Sequence, residues 1–295
     1  MSRLTANLLM ILTAIIWGTT FVVQKIAADY IGPTAFIAAR LFLGALVVMP
    51  LAIHHWRARQ RAVSRQDWIL MGITGLIMCA ASIFQQLGVA QTTVANTGFL
   101  TGLYVPLVPL IEWAILRRKP HPIIWPAAAL SLLGTTLMSG GGSLSFGQGD
   151  ILVILSSLFW ACHIIMVGHC SNRTGLPTVL AVVQYLVCAL VCALWAAAFE
   201  PGIAAGLQAA WKEIVFIGVL EVGIAYTLQT IVQRHTSPAD TAILLSSEVL
   251  FTMMSGMIFL GERMTMTQAV GGVAILTAML AVQLGPTFRP IPAIE

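Results

Sequence analysis

The sequence predicts an all-α integral membrane protein of ten transmembrane helices, arranged as two inverted five-helix repeats. Three observations carry that prediction. The 295 residues are 58% hydrophobic and only 9% charged, against about 25% charged in soluble domains. The apolar runs are continuous rather than alternating, which argues for helices and against a β-barrel. The second half of the chain also resembles the first when displaced by 143 to 144 residues. Crossing roughly 30 Å of hydrocarbon takes about 20 apolar residues, so ten crossings use almost the whole chain and leave no room for a soluble catalytic domain.

The runs follow in order. The first, 4–23, starts after Arg3 and carries Trp17, Gly18 and Thr19 where a cleaved signal peptide would show small residues, so it is expected to be retained. The second, 33–53, opens on Pro33 and holds Arg40 about 10 Å inside the apolar layer. The third spans 68–90. The fourth, 94–116, is interrupted by Pro106 and Pro109, which free backbone carbonyls and kink a helix, and so mark a hinge. The fifth, 122–139, ends at a Gly-rich connector over 140–149. The second set covers 150–168, 177–199, 211–233, 240–260 and 267–285, with a short tail at 289–295. The two repeats are thus expected at 1–139 and 150–288. Gly134 on the fifth span and Gly271-Gly272 on the tenth are small enough for helix contacts, within one chain or in a dimer.

Ten spans put both termini on one side. Eleven cations (Arg3, Arg57, Arg59, Arg61, Arg65, Arg117, Arg118, Lys119, Arg173, Arg234 and Arg289) fall there, against Lys25, Lys212 and Arg263 on the other. Positive charge accumulates on the cytoplasmic side, so both termini are expected in the cytoplasm of a bacterial-type inner membrane. The net charge of +4 is then topology, not a nucleic-acid surface. The five Cys lie in or beside spans without metal-ligand spacing, and Cys188 and Cys192 share a helix face as core packing. No metal and no cofactor is expected.

The internal match keeps one register across five helices. Pro33-Thr34 falls on Pro177-Thr178, Arg40 on Gln184, Gln85 on Gln229, Thr97 on Thr241, and Trp17 on Trp160. Each half holds an odd number of spans, so the second enters the membrane from the opposite side. Inverted repeats of this kind place a binding site near the midplane, exposed to each side in turn by rocking of one half against the other.

Polar residues at that depth supply a candidate site. Glu221 and Glu248 lie some 12 to 15 Å from the starts of their spans, where a carboxylate is expensive unless it is paired, hydrated or protonated. Trp17 and Thr20 share a stripe of the first helix with Thr13 and Gln24, and Trp160 and His163 repeat it with Ser156 on the sixth. Ser82 and Gln86 stripe the third helix beside Gln85, Thr97, Thr101 and Tyr104 the fourth, and Thr241, Glu248, Thr252 and Ser255 the ninth. Repeat-related stripes of this kind predict a water-accessible central cavity. Its expected lining is Trp17, Thr20, Ser82, Gln85, Gln86, Thr97, Thr101, Tyr104, Trp160, His163, Glu221, Tyr226, Glu248 and Thr252, with Glu221, Glu248 and His163 as candidate proton carriers. No P-loop, HExxH or GxSxG motif appears, so energy comes from a gradient or from the substrate itself.

These residues carry a resemblance. Trp17-Gly18-Thr19-Thr20-Phe21 with Lys25, Arg40-Leu41-Phe42 with Pro50, Tyr104-Val105-Pro106-Leu107, Phe159-Trp160-Ala161, Glu248-Val249 and Leu260-Gly261-Glu262 occur in the order and spacing of the drug/metabolite transporter superfamily. The chain resembles the ten-helix EamA-like branch over nearly its whole length. That resemblance implies an inner-membrane exporter of small metabolites, with amino acids a frequent substrate class. The small four-helix relatives that exchange protons for drugs have a Glu three residues before Gly-Thr-Thr, where this chain has Ile15, so that coupling site does not carry over.

The cavity mixes aromatic faces with carboxylates and few cations, which suits an aromatic or large apolar amino acid. A lipophilic cation is the alternative substrate, and a membrane-embedded enzyme or a non-transporting sensor are the alternatives of other classes. The expected partners are a small-molecule substrate and the lipid bilayer, with no nucleic acid, for a monomer or a homodimer.

Overall fold

Helix, interrupted by short turns, accounts for the computed structural model, which describes residues 1, 3–59, 62–114, 117, 120–138, 147–260 and 265–284. Most of the expected connector and all of the expected tail lie outside the described residues. The first half comprises α1 (Arg3–Ala27), α2 (Pro33–Arg57), α3 (Arg65–Gln91), α4 (Val94–Thr101), α5 (Tyr104–Ala114) and α6 (Ile124–Met138). The second comprises α7 (Gln148–Thr174), α8 (Pro177–Phe199), α9 (Ile203–Ala209), α10 (Trp211–Phe216), a π-helical segment (Ile217–Tyr226), α11 (Thr227–Val232), α12 (Pro238–Leu245), α13 (Glu248–Leu260) and α14 (Met266–Leu284). Eight spans are long and apolar enough to cross a bilayer, and the shorter apolar helices Ile124–Leu137 and Met266–Ala281 bring the number to ten among the described residues.

Local chemistry fixes the helix ends. Ser64 and Asp67 form a capping box at the start of α3, while Thr93 and Ser237 cap α4 and α12. Pro33, Pro177 and Pro238 stand in the first turns, where no backbone N–H is needed. Gly175 ends α7 at φ 69°, in the left-handed region.

The side chains invert the pattern of a soluble protein. Leu194, Phe199, Ile258, Phe259 and Val273 are among the most exposed, as befits a face solvated by lipid tails. Arg40, Gln85, His163, Gln184, Glu221 and Glu248 are buried. The two ends of the bundle are tied by polar contacts. At the Arg-rich end, Arg173 Nε donates to Asp67 Oδ1 at 2.7 Å, joining α7 to α3. At the other, Lys25 Nζ donates to the carbonyls of Val89, Ala90 and Thr92, and the Glu200 carboxylate accepts from the Thr34 and Ala35 backbone N–H groups and the Thr34 hydroxyl. Gly134 meets Gly271, so these small residues pack α6 on α14 within the chain.

Among the described residues, three spans depart from a continuous α-helix. The fourth breaks between α4 and α5 at Gly102–Leu103. Pro106 has no N–H to give the Gly102 carbonyl, which is taken instead by Val105 N–H at 3.0 Å. The helix runs on through Pro109. The ninth span breaks between α12 and α13 at Ser246–Ser247, 144 residues after the first break. It has no proline. Here the Ser246 and Ser247 hydroxyls donate to the carbonyls of Ile243 and Leu244 at 2.7 and 2.8 Å, side-chain competition that loosens a helix. The third departure is the π-helical Ile217–Tyr226 within the eighth span.

Candidate functional site

A cavity of about 380 Å³, mouth included, lies between the two repeats. Its wall is built largely from pairs of residues at equivalent positions of the two halves. Trp17 and Trp160 are one such pair, Phe21 and Ile164 a second, Gln85 and Gln229 a third, and Tyr104 and Glu248 a fourth. Thr20, Gln24, Thr101, Glu221 and Tyr226 complete it. Equivalent residues meet around one space only when they lie near the axis relating the halves, so the cavity straddles that axis.

Close helix contact sets the positions of these groups. Gly18 packs on α13 so tightly that a Cβ would overlap the Glu248 carbonyl and Phe251, which brings Trp17 beside the start of α13. On α2, a Cβ at Gly44 would overlap Val222, and this approach delivers Arg40 to Glu221. Glu221 and Tyr226 are five residues apart, which in an α-helix turns them roughly 140° from each other. In a π-helix, whose turns close with i→i+5 bonds, residues five apart share a face. The π winding therefore lets both reach the same cavity.

The two carboxylates differ in their partners. Glu221 Oε1 accepts from Arg40 Nη1 at 2.9 Å and Oε2 from Gln24 Nε2 at 3.2 Å, all within the buried interior. Its charge is balanced. Glu248 Oε1 is buried and, among the described residues, has no hydrogen-bond partner. The Tyr104 hydroxyl lies beside the Glu248 carboxylate, within its reach but short of full hydrogen-bond geometry. Among the described residues, the unpartnered buried polar atoms of the wall also include the indole N–H groups of Trp17 and Trp160, Gln24 Oε1 and both amide atoms of Gln229. The aromatic side forms one cluster, with Trp17 and Tyr226 ring centroids 4.8 Å apart and Trp160 stacked on Tyr226 at 5.7 Å.

Of the residues expected from sequence, Trp17, Thr20, Gln85, Thr101, Tyr104, Trp160, Glu221, Tyr226 and Glu248 line the cavity, and Ser82, Gln86, Thr97, His163 and Thr252 do not. The Thr97 and Thr252 hydroxyls donate to the carbonyls of Thr93 and Glu248 four residues earlier. Gln86 Nε2 donates to the Gln24 carbonyl, and His163 Nε2 pairs with Gln184 Oε1 at 2.9 Å behind the Trp160 and Tyr226 rings. Phe21, Gln24, Ile164 and Gln229 were absent from the expected lining. The internal repeat carries the signal that finds three of them: Gln229 is the counterpart of Gln85, and Phe21 and Ile164 follow the two Trp by one turn. Arg40, placed by sequence inside the apolar layer, meets a carboxylate there.

A ten-span bundle of two inverted repeats enclosing a polar, aromatic-walled cavity defines a multi-pass membrane transporter. The EamA-like transporter family matches this sequence twice, over residues 4–140 and 147–283, and the chain belongs to that family. An uncharacterized transporter of Archaeoglobus fulgidus is 31% identical over 96% of this chain and 87% of its own. The uncharacterized transporter YwfM of Bacillus subtilis is 26% identical over 95% of this chain and 94% of its own. A crystal structure of a protein 19% identical in sequence superposes with a TM-score of 0.77 over 96% of this chain and 98% of its own, a likeness of fold.

Proposed function

We propose that this transporter exports small zwitterionic metabolites, aromatic or large apolar amino acids first among them, across a bacterial-type inner membrane with both termini in the cytoplasm. One observation carries the reading: Glu248 is a buried carboxylate on the cavity wall whose Oε1 has no partner, within the same enclosure as two unpartnered indole N–H donors. An unmet buried charge is costly, and an ammonium group relieves it. The substrate carboxylate takes the indole N–H groups of Trp17 and Trp160 and the Gln229 amide, and an apolar or aromatic side chain lies against Tyr226 and the indole faces. Glu221, neutralised by Arg40, orders the wall and does not carry the substrate's charge.

Transport proceeds by alternating access. The breaks at Gly102–Leu103 and Ser246–Ser247 occupy equivalent positions of the two repeats, as discontinuous helices do in transporters whose halves rock about a central site. Pro106 keeps the first break open, and Glu248 exchanges between proton and substrate at the second.

Release of labelled phenylalanine from liposomes, with threonine and a lipophilic cation compared and a pH gradient imposed or omitted, tests the reading. Saturable phenylalanine release supports it. The aromatic cluster with a free carboxylate also favours a lipophilic cation, and release of that cation alone would replace the amino acid with a drug-like substrate. Ligand binding without any flux would make the chain a sensor, and turnover in detergent an enzyme.

A further inference from the structure

We propose that Cys79, Cys188 and Cys192 form a binding site for a soft monovalent metal ion of the copper(I) type. Cys188 and Cys192 stand one turn apart on the same face of α8, and Cys79 meets them from α3. The three Sγ atoms lie within 4.8 Å of one another, with those of Cys79 and Cys192 at 3.7 Å. A metal–thiolate bond is about 2.3 Å long, so three sulfurs in a plane around one ion stand about 4 Å apart. The thiols already stand close to that spacing.

The donor set selects the ion. No fourth His, Cys, Asp or Glu joins the group among the described residues. Structural zinc is almost always four-coordinate, whereas soft thiolate ligands select copper(I), which three sulfurs satisfy. Binding sends one proton to water for each thiol that becomes a thiolate. The Arg40 guanidinium, paired with Glu221, is near enough to Cys192 to act on the negative charge so created. Core packing, the reading that the sequence alone suggests for Cys188 and Cys192, accounts for their burial but not for the arrival of a third thiol from a helix more than a hundred residues away. Since α3 belongs to the first repeat and α8 to the second, a bound ion ties the two halves together. The site stands on its own, whatever the cavity carries.

The test is an anaerobic titration of the purified protein in detergent with copper(I), using bicinchoninate as a competing chromophoric chelator, followed by X-ray absorption of the loaded wild type. One equivalent held against the chelator, with a first shell of sulfur alone, is the expected result. Cys79→Ser and Cys192→Ser lose that equivalent, and Cys162→Ser, whose thiol lies apart on α7, keeps it. Full binding by the triple variant C79S/C188S/C192S, a first shell of nitrogen or oxygen, or no copper held by the wild type would each overturn the assignment. The spectrum is read on the unaltered protein, so it decides the question even where a variant fails to fold.

Discussion

Arg40 on α2 and Glu221 in the π-helical segment form a buried ion pair, Nη1 to Oε1, at 2.9 Å. The two residues are 181 apart in sequence and come from different repeats, so the bond joins the halves at the depth of the cavity. Gln24 holds the second carboxylate oxygen.

Removing one partner strands the other charge. Arg40→Gln and Glu221→Gln are each expected to destabilise the folded protein by roughly 3–5 kcal/mol, the usual effect of breaking a buried pair from one side. The double variant is expected to lose much less than the two together, because neither charge is then stranded. Thermal unfolding of the four proteins in one detergent measures this. Additive losses would mean that the two side chains act independently.

Glu248 answers a different question. With Glu248→Gln the carboxylate is gone but the shape remains, and the lost charge-assisted hydrogen bond to an ammonium, about 1.5–3 kcal/mol, slows release by about tenfold or more. Acceleration of release by a pH gradient is expected to vanish in the same variant. Liposome flux with and without the gradient checks both. Undiminished acceleration in E248Q would place proton coupling elsewhere.

Trp160 stacks on Tyr226 and offers an unpartnered N–H, and two substitutions separate these roles. Trp160→Phe keeps a ring against Tyr226, a contact worth about 0.5–1.5 kcal/mol, and removes the donor. It is expected to weaken binding of phenylalanine while leaving a lipophilic cation unaffected, whereas Trp160→Ala weakens both. Equilibrium binding of the two ligands distinguishes the outcomes, and equal losses for both ligands in W160F would remove the indole N–H from substrate recognition.

Gly44 allows α2 to lie against the π-helical segment. Gly44→Val puts a branched side chain where Val222 already stands, and overpacking of this kind costs about 1–3 kcal/mol. A lowered midpoint of thermal unfolding is expected, with substrate binding reduced in the protein that remains folded, because Arg40 and Glu221 are pushed apart. An unchanged midpoint would show that the interface has room to adjust.

Much of the architecture is legible in the sequence because lipid imposes simple rules. Length of apolar run, odd span number in each half and one repeat register lead to the ten-helix bundle, and depth arithmetic singles out Glu221 and Glu248. Pro106 announces the break in the fourth span through its missing N–H. The break in the ninth has no such residue, since the serines that sustain it look like any other polar residues of a helix stripe. The stripes also run through Thr97 and Thr252, which lie outside the cavity wall and whose hydroxyls bond to carbonyls of their own helices. The π winding has no sequence signature, and without it Tyr226 and Glu221 point in different directions. The partner of Arg40 is equally hidden, because it depends on a tertiary approach between α2 and the eighth span.

The equivalence of Tyr104 and Glu248 has a consequence for how a guest molecule is oriented. A chamber assembled from two copies of one surface looks nearly the same from either side, and a ligand could enter it in two poses of equal energy. The indoles and the amides at equivalent positions do not break that degeneracy. Phenol opposite carboxylate does: of these pairs it alone sets an acidic group on one side only, so under the proposed function the ammonium end of a substrate is drawn towards the second repeat and its remainder towards the first. Among the paired positions of the wall, this is the one at which the two copies have diverged in charge.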